Sequence, residues 1–295
     1  MMEVKYQLNK LEFDKFGRPS GVLLLNKESG ISAHDLVYKV RRVLHFEKVG
    51  HAGALDTVSS GLMIILVGKA TKFSNQLMGM DKEYVAEVAL GISTETQDIE
   101  GKVVQCQTNL GLDEDKIAEV CKSFYGDYEQ YVSIFSSVKV NGRKLRKVLR
   151  DKRYTYKVVI EDNQNKYIEL YKAETDELLH RILVPRRVVR IKEIEVTEMR
   201  DTKIADLPFR DLETLAEHDR NVKIVKIRVQ CSKGTYIRQL AEDIGIKLNC
   251  PASLVSLERT MINNMKKTDC QSLEDLVVPI PESTVEDTAR PEVSG

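Results

Sequence analysis

Apolar residues along this chain recur with the periods of both regular structures, and strand-like runs outnumber helical ones. Residues 22–25 (Val-Leu-Leu-Leu) and 62–67 (Leu-Met-Ile-Ile-Leu-Val) are unbroken apolar runs of strand length, and each predicts a short core strand. Residues 84–90 alternate as a strand does. Val225, Ile227, Val229 and Cys231 alternate with Lys226, Arg228 and Gln230, which marks a half-buried strand. Helical spacing brings Leu36, Val37, Val40, Val43 and Leu44 to one face behind Ser32 and Asp35, a capping-box-like start. A second helix is predicted over 113–124, with Ile117, Val120, Cys121 and Phe124 inward. A third opens at Gly234-Thr235 and turns Ile237, Leu240, Ala241, Ile244 and Leu248 to the core. Residues 154–160 and 166–171 flank Glu161-Asp162-Asn163-Gln164-Asn165, a turn-rich joint that predicts a hairpin. No internal repeat is present. Beyond about residue 278 the chain is rich in proline, serine and acids, a composition that predicts disorder.

Composition narrows the class. With 295 residues, the chain can bury a full core and fits one large domain with, at most, a small appendage. Its 42% hydrophobic and 31% charged content is that of a soluble globular protein. Met1-Met2-Glu3-Val4-Lys5 carries no apolar signal, and residues 62–67 are far too few to span a bilayer, so the expected location is the cytoplasm. Cys106, Cys121, Cys231, Cys250 and Cys270 make no CxxC pair and have no histidine at ligand spacing. They are expected to be reduced and structural, with no metal site. The net charge of +0 hides an asymmetry: residues 139–157 carry nine cations against Asp151, and residues 269–295 carry seven acids against Arg290. A basic stretch of that density suits a polyanion-binding surface, the alternative being a plain solvated face.

Two short segments carry candidate chemistry. The first is Gly50-His51-Ala52-Gly53-Ala54-Leu55-Asp56, followed by Gly61, which places one carboxylate in a glycine-punctuated loop just before a core strand. The alternative is an ordinary turn with a solvated aspartate. The second is Cys231-Ser232-Lys233-Gly234-Thr235-Tyr236-Ile237-Arg238, which puts Arg238 in the first turn of a helix, where the macrodipole disfavours a cation. Something acidic should compensate it. Asp56 is one candidate, and Glu242 at i+4 is the other.

Taken together, five ordered blocks resemble the bacterial TruB-type tRNA pseudouridine synthases. They are Gly21-Val22-Leu23-Leu24-Leu25-Asn26-Lys27, the Gly50–Asp56 loop with Gly61, Gly68-Lys69-Ala70-Thr71-Lys72-Phe73, Asp81-Lys82-Glu83-Tyr84, and the 231–238 joint. The resemblance implies an α+β pseudouridine synthase fold with a mixed, mostly antiparallel sheet. It implies isomerisation of the uridine at position 55 in the T-loop of tRNA, with no cofactor. Asp56 matches the family's catalytic aspartate and Arg238 the arginine paired with it. Tyr84 matches the aromatic residue that stacks on the target base. Tyr236 matches the family's tyrosine in the same joint, His51 a residue that fills the space left by the flipped nucleotide, Lys27 an active-site lysine, and Leu257 an apolar residue lining the pocket. The expected division is an N-terminal extension at 1–20, a catalytic domain at 21–265 with insertions near 151–182 and 201–221, and an acidic tail at 266–295.

These residue types suit the reaction. Pseudouridine formation breaks the N1–C1′ bond, turns the uracil and rejoins it through C5, so the base must first leave its stack at a cost of a few kcal/mol. An aromatic face recovers about 1–3 kcal/mol of that. A carboxylate beside C1′ can stabilise oxocarbenium-like charge, bond to the sugar or take a proton from it. The sequence departs from the family pattern at Thr57, Val132, Phe135, Arg146 and Val148, where proline, proline, tyrosine and two aromatics are common. Loop rigidity and RNA contacts are what these changes touch. Three readings follow: a stand-alone, monomeric tRNA isomerase acting on the T-arm; a guide-RNA-dependent relative, for whose added RNA-binding domain the short tail leaves no room; and a tRNA-folding chaperone of the same fold.

Overall fold

The computed structural model describes residues 6–135, 139–140, 143–149, 151–161, 165–210, 212 and 219–276. By the contacts of its described residues the chain forms two compact units, one built from residues 6–57, 61–78 and 267–276, the other from 58–60 and the described part of 79–266.

In the first unit, β1 (Lys10–Phe13) and β2 (Pro19–Lys27) form an antiparallel hairpin, α1 spans Ala33–Leu44, and β3 (Val49–His51) and β4 (Ser60–Val67) follow before the short helix α2 (Ser74–Met78). β4 lies between β2 and β3, pairing Leu25 with Met63 on one side and His51 with Ile65 on the other. Both predicted apolar runs are thus central strands, and residues 62–67 have no exposed surface. Burial on both faces is what an unbroken apolar run requires. The capping box of α1 is present: Ser32 Oγ accepts from the Asp35 amide at 3.1 Å, and the Asp35 carboxylate accepts from the Ser32 amide at 2.8 Å. Such a cap contributes about 1 kcal/mol. Leu36, Val37, Val40 and Leu44 are buried as the spacing predicts, but Val43 is not: it lies on the flank of the helix, 37% exposed. The tail begins inside this unit, where Gln271 bridges to Leu25 and its amide donates to Leu24. The acidic stretch beyond 276 lies outside the described residues.

The second unit holds a larger antiparallel sheet. Its strands in chain order are β5 (Lys82–Leu90), the small pair β6 (Ile92–Thr94) and β7 (Val103–Cys106), and then, after α3 (Glu114–Lys122), β8 (Gly126–Tyr131). There follow a short hairpin, β9 (Lys139–Val140) with β10 (Arg143–Lys144), the one-turn helix α4 (Leu145–Leu149), and three strands, β11 (Tyr154–Glu161), β12 (Asn165–Lys172) and β13 (Leu178–Leu183). The chain finishes with β14 (Arg186–Lys203), β15 (Asn221–Cys231), α5 (Ile237–Lys247), β16 (Ala252–Ile262) and β17 (Met265–Lys266). The main sheet runs β16-β5-β15-β14-β8, all antiparallel, and α5 packs on β16. The strand predicted over 84–90 and the half-buried strand ending at Cys231 are therefore neighbours, with Tyr84 opposite Val229.

The hairpin predicted around 161–165 is real and is joined by a third strand that the sequence did not disclose. β12 is the centre of a separate sheet, β11-β12-β13. Ile168 and Leu170 on one of its faces join Ile134, Leu145, Leu149 and Val184 in a core of their own. Phe135 and Val148, two of the departures from the family pattern, pack against the same core, so they serve packing here. Another small core gathers Ile204, Leu207, Phe209 and Leu212, between β14 and β15, against Ile92, Val222 and Ile224. No helix among the described residues is long and apolar enough to cross a membrane.

Candidate active site

Asp56 is exposed, as the loop composition predicts, and its neighbours are not. Leu55 is buried, and the Ala52 amide donates to Ile64 at 2.9 Å, carrying the β3–β4 ladder into the loop. On the other side of Asp56, the Thr57 carbonyl accepts from the Gly30 amide at 2.8 Å and from Lys27 Nζ at 3.3 Å. Lys27 is fully buried, and its ammonium also donates to the carbonyls of Ile31 at 2.6 Å and Glu28 at 2.9 Å. A buried ammonium with three backbone acceptors is a structural clamp. Lys27 therefore fixes the peptide that follows the carboxylate, and Thr57 needs no proline ring to be held. Gly53 and Gly61 adopt φ of 98° and 110°, which a side chain would oppose, whereas Gly50 lies outside the left-handed region and owes its place to strand pairing with Leu66. His51 sits at the end of β3, half-buried, and its carbonyl accepts from Ser74 Oγ at 3.3 Å. The result is one exposed carboxylate on a backbone frame tied at both ends.

In the second unit the α5 joint is arranged around Arg238. Tyr236 is the N-cap of the helix and supplies no side-chain cap; instead the amide of Gln130, from β8, brackets its backbone. Gln130 Oε1 accepts from the Tyr236 amide and Gln130 Nε2 donates to the Tyr236 carbonyl, both at 2.9 Å. The first turn of α5 contains no acid. Arg238 is buried there and donates from Nη1 to Asp98 Oδ2 at 3.2 Å and to the Thr96 carbonyl at 3.1 Å. Both side chains of this ion pair are almost wholly withdrawn from solvent, 7% and 1% exposed. An acid does compensate the cation, as the macrodipole argument requires, and it is one that sequence reasoning missed. Glu242, the local alternative, is occupied by hydrogen bonds from Gln97, Gln239 and Lys166.

Asp98 belongs to a polar turn after β6. Thr94 Oγ1 donates to the Asp98 carbonyl at 2.7 Å, and the Glu100 amide donates to Asp98 Oδ1 at 3.0 Å. The available signal was Thr94-Glu95-Thr96-Gln97-Asp98 with Gly101, an alternation of hydroxyl and acid of the kind that bonds its own backbone. On α5, burial pushes the Asp243 carboxyl, which accepts from Gln239 Nε2 at 2.9 Å, up to about 6.

Tyr84 lies on β5 between β15 and β16, directly opposite Arg259, and is buried. Leu257 pairs with Ala86, two residues along, so Leu257 and Tyr84 share a face of the sheet at diagonal positions. Lys82 shares that face. Burial, with Arg259 nearby, holds its ammonium down to about 8. Arg259 is almost wholly withdrawn from solvent, at 1% exposed, and Lys82 Nζ donates to the Met80 carbonyl. Arg259 did not stand out in the sequence, because a cation inside an alternating strand reads as the solvent-facing phase, and Lys82 stood out only as a member of the Asp81–Tyr84 block.

Of the basic stretch 139–157, the side chains of residues 139–144, 146 and 150 lie outside the described residues. Lys147, Lys152, Arg153 and Lys157 are exposed. Leu145 and Leu149 anchor the stretch in the core beneath β12.

Residues 41–184 match the family model for the TruB family pseudouridylate synthase N-terminal domain. The tRNA pseudouridine synthase B of Geobacillus thermodenitrificans is 36% identical over 268 residues, covering 90% of this chain and 74% of that one. The protein of the same name from Endomicrobium trichonymphae is 34% identical over 86% of this chain and 90% of its own. Among solved structures, a Cbf5-Nop10-Gar1 complex superposes on 93% of this chain with a TM-score of 0.55 at 24% identity, and an H/ACA RNP bound to a substrate RNA gives 0.52 at 23%. This chain spans 60% of the length of each of those two solved chains, and the likeness is one of fold. Identity of this extent to the synthase B proteins, over nearly the whole sequence, places the chain in the TruB family of pseudouridylate synthases.

Proposed function

We propose that this protein isomerises a uridine in tRNA to pseudouridine, that the target is position 55 in the T-loop, and that the chain acts alone, as a cytoplasmic monomer without a guide RNA or cofactor. The observation that carries the reading is Asp56, an exposed carboxylate held between the buried Leu55 and the doubly anchored Thr57 carbonyl. A group that must meet C1′ of an incoming nucleotide has to be open to solvent yet fixed in aim. In the proposed reaction the uridine is flipped from the T-loop, Tyr84 stacks on the uracil and Leu257 lines its apolar edge. His51 takes up the space that the nucleotide leaves. Asp56 acts as the N1–C1′ bond breaks; the uracil turns and rejoins through C5, which loses its proton while N1 gains one. Arg238 is the cation of this step, with Asp98 sharing its charge and fixing its orientation. Tyr236, pinned by Gln130, and Lys27, beneath the Asp56 loop, hold the two supporting backbones.

The test is a T-arm transcript incubated with the protein and mapped by carbodiimide labelling, which marks pseudouridine. One modified uridine at position 55, absent with Asp56→Asn, supports the proposal. An unmodified transcript, or modification that requires a second RNA, contradicts it and favours the chaperone or the guide-dependent reading respectively.

A further inference from the structure

The sheet β11–β13 sends one of its charged side chains into the interior of the second unit. Lys166, at the start of its central strand, is buried, and its ammonium lies 3.2 Å from Glu242 Oε2 on α5, the helix that carries Arg238 in its first turn. The same ammonium lies over the ring of Tyr131, at 5.6 Å from its centroid. Three donors converge on that one carboxylate oxygen: Lys166 Nζ, Gln239 Nε2 at 2.6 Å and Gln97 Nε2 at 2.7 Å. Gln97 Nε2 also donates to Gln239 Oε1 at 2.7 Å. Three donors on one oxygen hold the Glu242 side chain in place, and Lys166 is the cation among them.

Gln97 has a second property. Its φ is 65°, the left-handed region, which a residue with a side chain adopts only where its surroundings impose it. Its carbonyl accepts from the Leu254 amide at 3.0 Å, tying the turn to β16, while its side chain ties the turn to α5 through Glu242 and Gln239. The next residue is Asp98, the partner of Arg238. A chain of direct contacts therefore runs from the β11–β13 sheet through Lys166, Glu242 and Gln97 to the turn that presents Asp98 to Arg238.

We propose that Lys166 is a positioning residue for the isomerisation: by holding Glu242, and through it the left-handed Gln97 turn, the β11–β13 sheet sets the geometry of the Asp98–Arg238 pair. The inference rests on the functional reading above. It gives that sheet a task besides any contact with RNA, since Lys166 faces inward and cannot meet a phosphate without leaving Glu242.

The experiment measures kcat and KM for tRNA with Lys166→Met, Lys166→Arg, Glu242→Gln and the Lys166→Met/Glu242→Gln double variant. Lys166→Met should lower kcat by about tenfold with KM moved by less than about threefold, and Lys166→Arg should recover most of the loss. The double variant should be no slower than the slower single variant, because both break one link. Should Lys166→Met fail to fold, Glu242→Gln, which keeps its shape, reads the same link: a lowered kcat at constant KM supports it, and an unchanged kcat overturns it. A raised KM at unchanged kcat in Lys166→Met would also overturn the proposal, assigning the lysine to RNA binding. Full additivity of the two substitutions would do the same. An unmodified tRNA with the unsubstituted protein would instead bring down the functional reading itself.

Discussion

Two carboxylates of this chain are held in opposite ways. Asp56 stands exposed on a frame of backbone bonds, with Leu55 buried behind it and the Thr57 carbonyl tied to Gly30 and Lys27. Asp98 is shut away, 1% exposed, against the guanidinium of Arg238 and within a turn that bonds its own backbone. The charge of the first can be removed without leaving a buried group uncompensated, because Asp56 is open to solvent. That of the second cannot, because either partner of a buried pair, left alone, is an uncompensated charge. Chemistry and stability are thus separable at Asp56 and entangled at Arg238, and substitutions can expose that difference.

The largest effect belongs to Asp56→Asn. Pseudouridine formation should fall by at least about a thousandfold, while tRNA affinity changes by less than about tenfold, since the charge serves the transition state and not recognition. The thermal midpoint should not move. Residual turnover near that of the unsubstituted protein would remove Asp56 from the reaction; a large drop in the midpoint would break the contrast between the two regions.

Arg238→Met should be slow and unstable together. Removing the guanidinium leaves Asp98 buried and unpaired, a loss of about 3–5 kcal/mol. Adding Asp98→Asn to that variant should return part of the stability, read by urea unfolding, and none of the rate. A stable but inactive Arg238→Met protein would place Arg238 in the same class as Asp56 and erase the distinction.

Tyr84 offers a finer cut. Tyr84→Phe keeps the stacking face and should retain binding of the flipped base, whereas Tyr84→Leu should lose binding and turnover, by about 1–3 kcal/mol of stacking. Equal effects of the two substitutions would deny a stacking role.

The sequence disclosed these regions unequally, and for physical reasons. The Asp56 loop was legible because its requirements are local: a glycine at each left-handed turn, a buried leucine next to the acid, an apolar strand behind. The strands at 22–25 and 62–67, the capping box at Ser32 and the hairpin across 161–165 were legible on the same ground. The Asp98–Arg238 pair was half legible. One turn of helix sufficed to show that Arg238 needed an acid, but 140 positions separate Arg238 from Asp98, and no local rule selects one polar turn among several. The third strand of the β11–β13 sheet, and the use of Phe135 and Val148 as core, depend on packing that has no counterpart in the sequence period.

The smallest effects concern the basic stretch and the tail. Replacing Arg143, Lys144, Arg146 and Lys147 with alanine should weaken tRNA binding and flatten its salt dependence. The expected change is about 0.7–0.9 log unit per log unit of salt for each phosphate no longer neutralised, with turnover at saturating tRNA falling much less. An unchanged slope would make the stretch a solvated face. Truncation after Val278 should change neither quantity, because the acidic segment repels RNA; a large loss would mean that the tail packs on the body.

The central claim is a carboxylate-dependent exchange of N1 for C5 at one uridine, performed by this chain alone. Isomerisation must release the hydrogen of C5, so a tRNA transcript carrying tritium at C5 of its uridines reports it directly. The account predicts release of one equivalent of tritium per tRNA with no other RNA present, none when position 55 is cytidine, and none with Asp56→Asn. Release that persists in Asp56→Asn, or that never occurs with the unsubstituted protein, would contradict it.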